Sequence, residues 1–430
     1  MLTEFSIDRS FAHELDKSDK LSRFRKRFYI PPGTVYLDGN SLGLLSKDAE
    51  SSLLRVIDEW KNLAIFGWLD GKQPWFTMGE DIGKEAASLV GAEPEEVVFT
   101  GTTTINIHSL ISTFYQPKGK RKKILADILN FPSDLYALQG QIRLKGGEPQ
   151  TDLVLVPSKD GITLHENDIL ELMTDEVAIA WLPSVLYCSG QLLDMELLTA
   201  EAHKRGIIIG FDCCHSAGAV PHHFDKWGVD FGVFCSYKYL NGGPGSTAFL
   251  YLNRKHFGKE PQLPGWFGFI KSRMFGMEPL FEHAESAGGW QISAPGILGS
   301  ATLEGSLKII HEAGIDNIRE KSLRLTDYLI FLIREKLLPL SSEFAIATPA
   351  DQKSRGGHVS LIHKTESFRI NEALKARKII PDLRPPNMIR IAPAALYNTF
   401  AEVWQLVEAL KVIMEKKEYL NFSNERKAIT

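Results

Sequence analysis

Short apolar runs alternate along the chain with longer segments whose apolar positions recur at helical spacing. The runs 97–100, 123–128, 177–181, 206–211 and 231–235 read as strands. Segments 105–114, 134–144 and 195–204 carry the helical pattern; Pro132 and Ser133 open the second, and Asp194 is placed to cap the third. Strands rich in Val, Ile and Phe, with no polar face, need cover on both sides. This order predicts an α/β fold built on a buried, mostly parallel central sheet flanked by helices. The character changes near residue 300. Helical patterns then run over 301–313 and 318–337. A strand at 388–392 leads to a C-terminal helix in which Thr399 and Glu402 have capping-box spacing. The expected organisation is a large domain over 45–300 and a smaller α+β domain over 301–430, joined by an N-terminal arm over 1–44. Gly356-Gly357 and Pro385-Pro386 mark loops, and the polar tail 421–430 is expected to fray.

Composition narrows the classes. The 430 residues are 44% hydrophobic and 24% charged, ordinary for a globular chain and long enough for two domains. A net charge of −4 leaves no basic footprint for nucleic acid, and the runs 23–27 and 118–123 read as solvated faces. No stretch reaches the roughly 18 uncharged apolar residues of a membrane span. Glu4, Asp8 and Arg9 stand where a signal peptide would need an apolar core. Cys188, Cys213, Cys214 and Cys235 make no disulfide framework, and reduced thiols in the cytoplasm are the expectation.

In open α/β sheets, ligands bind beyond the carboxyl ends of the strands, so the residues following each strand are the candidates. One strand ends in Phe211-Asp212-Cys213-Cys214-His215, and another runs into Ser236-Tyr237-Lys238-Tyr239, followed by a glycine-rich turn. A lysine and an aspartate on neighbouring strand ends suit pyridoxal phosphate. The lysine carries the cofactor, and the carboxylate keeps the pyridine nitrogen protonated. Apolar and aromatic neighbours are expected to lower the pKa of Lys238. The Gly101–Thr104 loop, with Thr103 and Thr104, precedes a helix on the same edge and suits an anion. Phe131 can stack on a flat ring; Asp134 is either a second carboxylate near the ring nitrogen or only a helix opener. Arg390, inside an apolar strand, is either a fork for a substrate carboxylate or half of a buried ion pair. Cys213, Cys214, His215, His222 and His223 crowd together without the spacing of a zinc site, so no metal is expected, and His215 is expected beside the cofactor ring.

The chain resembles the kynureninase family, of the aspartate-aminotransferase fold (pyridoxal-phosphate fold type I), over nearly its whole length. The resemblance rests on Tyr36–Leu44, Gly71–Trp75, Phe131–Asp134, Phe211–His215, Trp227–Phe231, Ser236–Asn241 and Arg390–Phe400. It implies a homodimer with shared active sites that uses pyridoxal 5'-phosphate. The implied reaction, in tryptophan catabolism, hydrolyses L-kynurenine to anthranilate and L-alanine, with 3-hydroxykynurenine as a possible second substrate. Cofactor-contacting positions fall on Thr103, Thr104, Phe131, Pro132, Ser133, Asp134, Asp212, His215, Tyr237, Lys238, Trp266 and Ala294, with Trp266 contributed across the dimer. Substrate-binding positions fall on Arg390, Trp68, Asn40, Ser41 and Ser293. Two departures stand out. Ala294 replaces a usual Thr or Asn, and Ser293 could supply the missing hydroxyl. Trp68 stands where animal members favouring the 3-hydroxy substrate carry His, which points toward kynurenine itself.

Lys238, Tyr237 and Asp212 are the expected catalytic residues, with Lys238 moving the α-proton and Tyr237 protonating Cβ as the Cβ–Cγ bond breaks. Three alternatives remain at this stage: a cysteine desulfurase, an aminotransferase, and a non-catalytic cofactor-binding protein. None of the four cysteines has the loop setting that a desulfurase needs.

Overall fold

The computed structural model describes residues 5–424. Its central sheet has seven strands: β1 (Val97–Phe99), β2 (Lys123–Asp127), β3 (Leu153–Val156), β4 (Val177–Pro183), β5 (Ile208–Asp212), β6 (Phe231–Cys235) and β7 (Ala248–Leu252). They lie in the order β1-β7-β6-β5-β4-β2-β3. All pairings are parallel except those of β7, which runs antiparallel to both β1 and β6.

The two-residue period of each strand divides its side chains between two apolar layers. Ile124, Ala126, Ile179, Trp181, Phe231, Val233, Leu250 and Leu252 face one layer, with Ile107, Leu110 and Leu138 from the covering helices. Leu125, Ala180, Leu182, Ile209, Phe211, Phe234 and Phe249 face the other. Each fully buried side chain of this size contributes about 1.5–3 kcal/mol, which makes the strand ends rigid supports.

Several expected bounds shift for local reasons. Gly206 does not begin β5. At φ +66° it closes the helix Met195–Lys204, its N–H donating to the His203 carbonyl. The helix after β1 starts at Thr103 rather than 105, capped by the Thr102 hydroxyl, and Pro132 is the first residue of its own helix. β3 and β7 were not foreseen. β7 closes the gap between β1 and β6, a long-range pairing that no local period announces.

A second sheet, β8 (Phe344–Ile346), β9 (Val359–His363), β10 (Asp382–Arg384) and β11 (Met388–Ile391), is antiparallel in the order β10-β11-β9-β8. Its core takes residues from the helices Ile315–Lys336, Ser367–Ala376 and Phe400–Glu415, together with Ala12, Leu15, Val35 and Leu37 from the N-terminal arm. Thr399 and Glu402 form the capping box. The helix Ile297–Ala313 packs in the first core, so residue 300 falls inside one element. The start of the tail is ordered. Phe422 packs on the second core and Glu418 pairs with Arg377, while 425–430 lie outside the described residues. Among the described residues, no helix is long and apolar enough to cross a membrane.

Candidate active site

The carboxyl ends of the parallel strands open into a pocket of about 210 Å³, closed on the far side by the second sheet. After β1 the chain turns at Gly101. Its φ is +57°, and an added Cβ would stand 2.4 Å from Asn106 Oδ1, so only glycine fits. The turn delivers Thr103 and Thr104 to the pocket at a helix N-terminus. The Thr104 hydroxyl lies 2.6 Å from that of Ser133, in the first turn of the helix Pro132–Leu144. Two helix N-termini with three hydroxyls therefore meet at one point, a ready anion cradle.

Asp212 ends β5. Its Oδ1 accepts from the Cys214 N–H at 2.8 Å, and its backbone carbonyl accepts from the N–H and hydroxyl of Ser184. Lys238 follows neighbouring β6, on a turn clamped by the Gly43 N–H donating to the Tyr237 carbonyl at 2.7 Å. A Cβ on Gly43 would sit 2.3 Å from the Lys238 carbonyl oxygen, so this approach also requires glycine. The Lys238 Nζ lies 3.0 Å from His215 Nε2.

Burial alone lowers the pKa of Lys238, as expected. The net shift is nevertheless upward, because the acidic groups around it (Cys235, Cys214 and Asp212) outweigh burial. Lys238 is thus an ammonium that donates to His215. Burial and that ammonium hold His215 well below the usual imidazole range, so its ring is neutral. A neutral ring accepting at Nε2 carries its proton on Nδ1, and that atom is buried without a partner. The buried Asn40 side chain, also on the pocket wall, lacks partners for both its oxygen and its nitrogen. Orphaned polar atoms, a hydroxyl cradle, a buried amine and a carboxylate on one sheet edge fit a phosphorylated pyridine aldehyde.

Phe131 lines the mouth, edge-on to Tyr187 at 5.3 Å between centroids. Asp134 is both a helix opener and a pocket residue. Its Oδ2 accepts from Trp181 Nε1 at 2.9 Å, and burial with the charge of Asp212 raises its pKa far above the carboxylate range. It therefore stands neutral beside Asp212.

Of the two readings of Arg390, the structure shows the buried ion pair. It lines the pocket, and on the antiparallel register it faces Asp382, whose Oδ2 accepts from its Nε at 2.6 Å. Ser41 Oγ and the Tyr187 carbonyl take two more of its donors, each at 2.9 Å.

Pro132, Trp68, Trp266, Ser293 and Ala294 do not line this pocket. Trp68 packs on Trp75 and Phe267, Ala294 against the cluster of Phe267, Phe269 and Met274, and Trp266 is half exposed beside Phe275. Conversely, Arg384 and Tyr187 line the pocket but were not singled out. Asp382-Leu383-Arg384 carries two charges in an apolar stretch, the same signal that exposed Arg390. Tyr187 stands four residues beyond the end of β4, and no charge or motif marks it locally.

Asp127, at the end of β2, is fully buried. Its Oδ1 accepts from the Leu129 N–H at 2.9 Å, and Oδ2 has no partner. Burial pushes its pKa up to about 7 from 3.8, partly offset by that N–H. A raised carboxyl favours the fold while neutral. Its contribution is complete below pH 3.8 and is lost as pH rises through about 7. Asp127→Asn should leave stability unchanged at low pH and raise it at pH 8, by something of order 3 kcal/mol. Urea midpoints of the two proteins from pH 5 to 8.5 test this. A gap that does not widen with pH would show that Asp127 does not titrate in this range.

Solved structures with this fold include a cysteine desulfurase from Thermococcus onnurineus NA1 (TM-score 0.77, 20% identity, covering 92% of this chain and 98% of that one). Another is a C-DES variant with glycine covalently linked to its PLP cofactor (TM-score 0.79, 16% identity, covering 90% and 98%). The fold is that of the class V pyridoxal-phosphate enzymes. Within that class, residues 318–410 match the model of the kynureninase C-terminal domain. The kynureninase of Geobacillus thermodenitrificans is 55% identical over 97% of both chains, and that of Bacillus cereus is 55% identical over 100% of both. The chain belongs to the kynureninase family. Likeness to the desulfurases is one of fold alone.

Proposed function

We propose that this chain is a kynureninase, hydrolysing L-kynurenine to anthranilate and L-alanine with pyridoxal 5'-phosphate on Lys238. The observation that carries this reading is the convergence of Lys238, Asp212 and the Thr103–Thr104–Ser133 cradle on one sheet edge, opposite a buried arginine. The bound cofactor draws electron density from the substrate α-carbon, which makes the Cβ–Cγ bond labile to hydrolysis. Asp212 would hold the proton on the pyridine nitrogen, and neutral Asp134 would add no competing charge. Thr103, Thr104 and Ser133 would hold the phosphate, and Phe131 and His215 would border the ring. Lys238 carries the α-proton. Arg390, Ser41 and Asn40 bind and orient the amino-acid end of the substrate.

Tyr237 is the proton donor to Cβ. Burial, then the acidic groups around it, raise its phenol above the ordinary value, so it keeps its proton at neutral pH, as a general acid must. Tyr237→Phe should lower the steady-state rate by roughly 10²–10⁴-fold with little change in cofactor absorbance. An undiminished rate would remove Tyr237 from the role.

A homodimer is part of this reading. Trp60, Trp68 and Leu298 share one cleft, and aromatic contacts continue it through Phe267 to Trp266 and Phe275. An exposed apolar surface of this kind is a subunit contact in the making, and sedimentation reads the mass directly. It would let Trp266, Trp68, Ser293 and Ala294 serve a partner's pocket. Preference for kynurenine over its 3-hydroxy form, a cytoplasmic setting and a two-domain division, with its boundary after the helix Ile297–Ala313, belong to the same proposal. The test is anthranilate fluorescence after adding L-kynurenine to the cofactor-loaded protein. Release of anthranilate supports the reading. A yellow protein that releases none would limit it to cofactor binding.

A further inference from the structure

Two buried imidazoles neighbour each other beside the pocket. His215 follows β5, and His358 comes from the segment leading into β9; their ring centroids are 6.0 Å apart. Both rings are neutral. Burial, then the positive charges of Lys238 and Arg390 and, for His215, Arg384, lower the pKa of each, that of His358 to about 3. A neutral imidazole has one N–H to donate and one nitrogen that accepts. His215 uses its acceptor, Nε2, on the Lys238 ammonium, and its Nδ1 has no partner. Both ring nitrogens of His358 are likewise unpaired. A buried polar group without a partner destabilises the fold, so each of these calls for one.

The unmet groups complement one another. The carbonyls of Cys188 and Tyr187 border the His358 ring and are the place for its own N–H, which leaves its second nitrogen as an acceptor. The His215 Nδ1–H is a donor. A small rotation of either ring, or one bridging water, turns the 6.0 Å separation into a hydrogen bond. Tyr187 is the other ring near His215, at 6.5 Å, and its phenol is engaged with the Cys188 thiol. The tautomer matters to the amine. With its proton on Nδ1, His215 accepts from Lys238; with the proton on Nε2 it would present a donor to a cation.

We infer that His358 is a positioning residue that keeps the His215 proton on Nδ1, so that Nε2 stays free to accept from Lys238 in its ammonium form. Lys238 takes that form once it holds the substrate's α-proton, so the two imidazoles steady the transferred proton. For that step the inference rests on the kynureninase reading above. The coupling of Lys238, His215 and His358 rests on the geometry alone.

The test is the pH dependence of pyridoxal phosphate uptake by the full chain freed of cofactor, followed in the visible absorbance of the bound form. Only the unprotonated amine of Lys238 reacts. Removing an aligned acceptor frees that amine at lower pH. His358→Phe should shift the uptake curve down by about one pH unit, the worth of a hydrogen bond to a charged group. His358→Leu, which also lacks an acceptor, should shift it equally. At least one of His358→Asn and His358→Gln, whose amide oxygens stand in for the two ring nitrogens, should recover most of the shift. Cys235, Cys214, Asp212, Asp134, Arg390 and Tyr237 also surround Lys238, and they are the same in every variant, so the difference isolates the imidazoles. In a His215→Phe background, which lacks the intervening ring, His358→Phe should add no further shift. An unshifted curve for both His358→Phe and His358→Leu, or an equal shift in both backgrounds, would overturn the inference. Wild-type anthranilate release, measured alongside, separates the two readings. A protein that shows the shift but releases no anthranilate keeps the coupling and loses the substrate assignment; one that takes up no cofactor overturns both.

Discussion

Lys238→Ala is expected to lower anthranilate release by more than about 10⁴-fold and to leave a protein that loses its yellow colour on gel filtration. Two losses combine. The variant removes the amine that anchors the cofactor, and with it the group that carries the α-proton. The site offers no substitute nearby: His215 is neutral and Asp134 is protonated, so neither serves as an amine nucleophile. Fold should be kept, because the side chain hydrogen-bonds to His215, lies over the Tyr237 ring, and leaves Asp212 tied to its own backbone neighbours. Absorbance of the desalted protein and a fluorescence progress curve are the two readouts. A variant that retains the wild-type band and releases anthranilate would move the anchoring role away from Lys238.

Asp382→Ala should produce the largest loss of stability, about 3–5 kcal/mol, because it strands a buried guanidinium. Arg390 and Asp382 are both buried, on facing positions of β11 and β10. Deleting one partner leaves the other charge in a poor dielectric with too few acceptors. The Tyr187 carbonyl and Ser41 hydroxyl remain, which keeps the loss at this scale. Asp382→Ala combined with Arg390→Leu should recover much of it, since neither charge is then left alone. Urea unfolding of the cofactor-free proteins reads both effects. Equal midpoints for wild type and Asp382→Ala would mean that the pair is solvated and weak.

The residues legible in the sequence were those whose chemistry is local. Asp212 and Lys238 end or follow strands whose apolar runs are unmistakable, and neighbouring strand ends bring them together. The Gly101–Thr104 turn, the Pro132 helix start and the Thr399–Glu402 box all lie within a few residues of what they cap. The family motifs are equally local, and they carried the reaction.

What the fold alone decided lies between distant segments. Lys238 reads as an amine with a lowered pKa from its apolar neighbours, but acidic groups from two strands reverse the sign. Arg390 reads as either clamp or ion pair. Asp382 faces it through the β10–β11 register, whereas Tyr187 and Ser41 come from distant segments, and only the packing of the two cores sets their distances. Tyr187 and Arg384 join the pocket for the same reason. Trp68, Trp266, Ser293 and Ala294 carry family positions in the sequence yet stand away from the pocket of the single chain. Period and motif fix which side chains a strand end presents, because those follow from bonded geometry over a few residues. Which groups then share a proton, a charge or a ligand depends on through-space distance, and that is set by burial of side chains hundreds of residues apart.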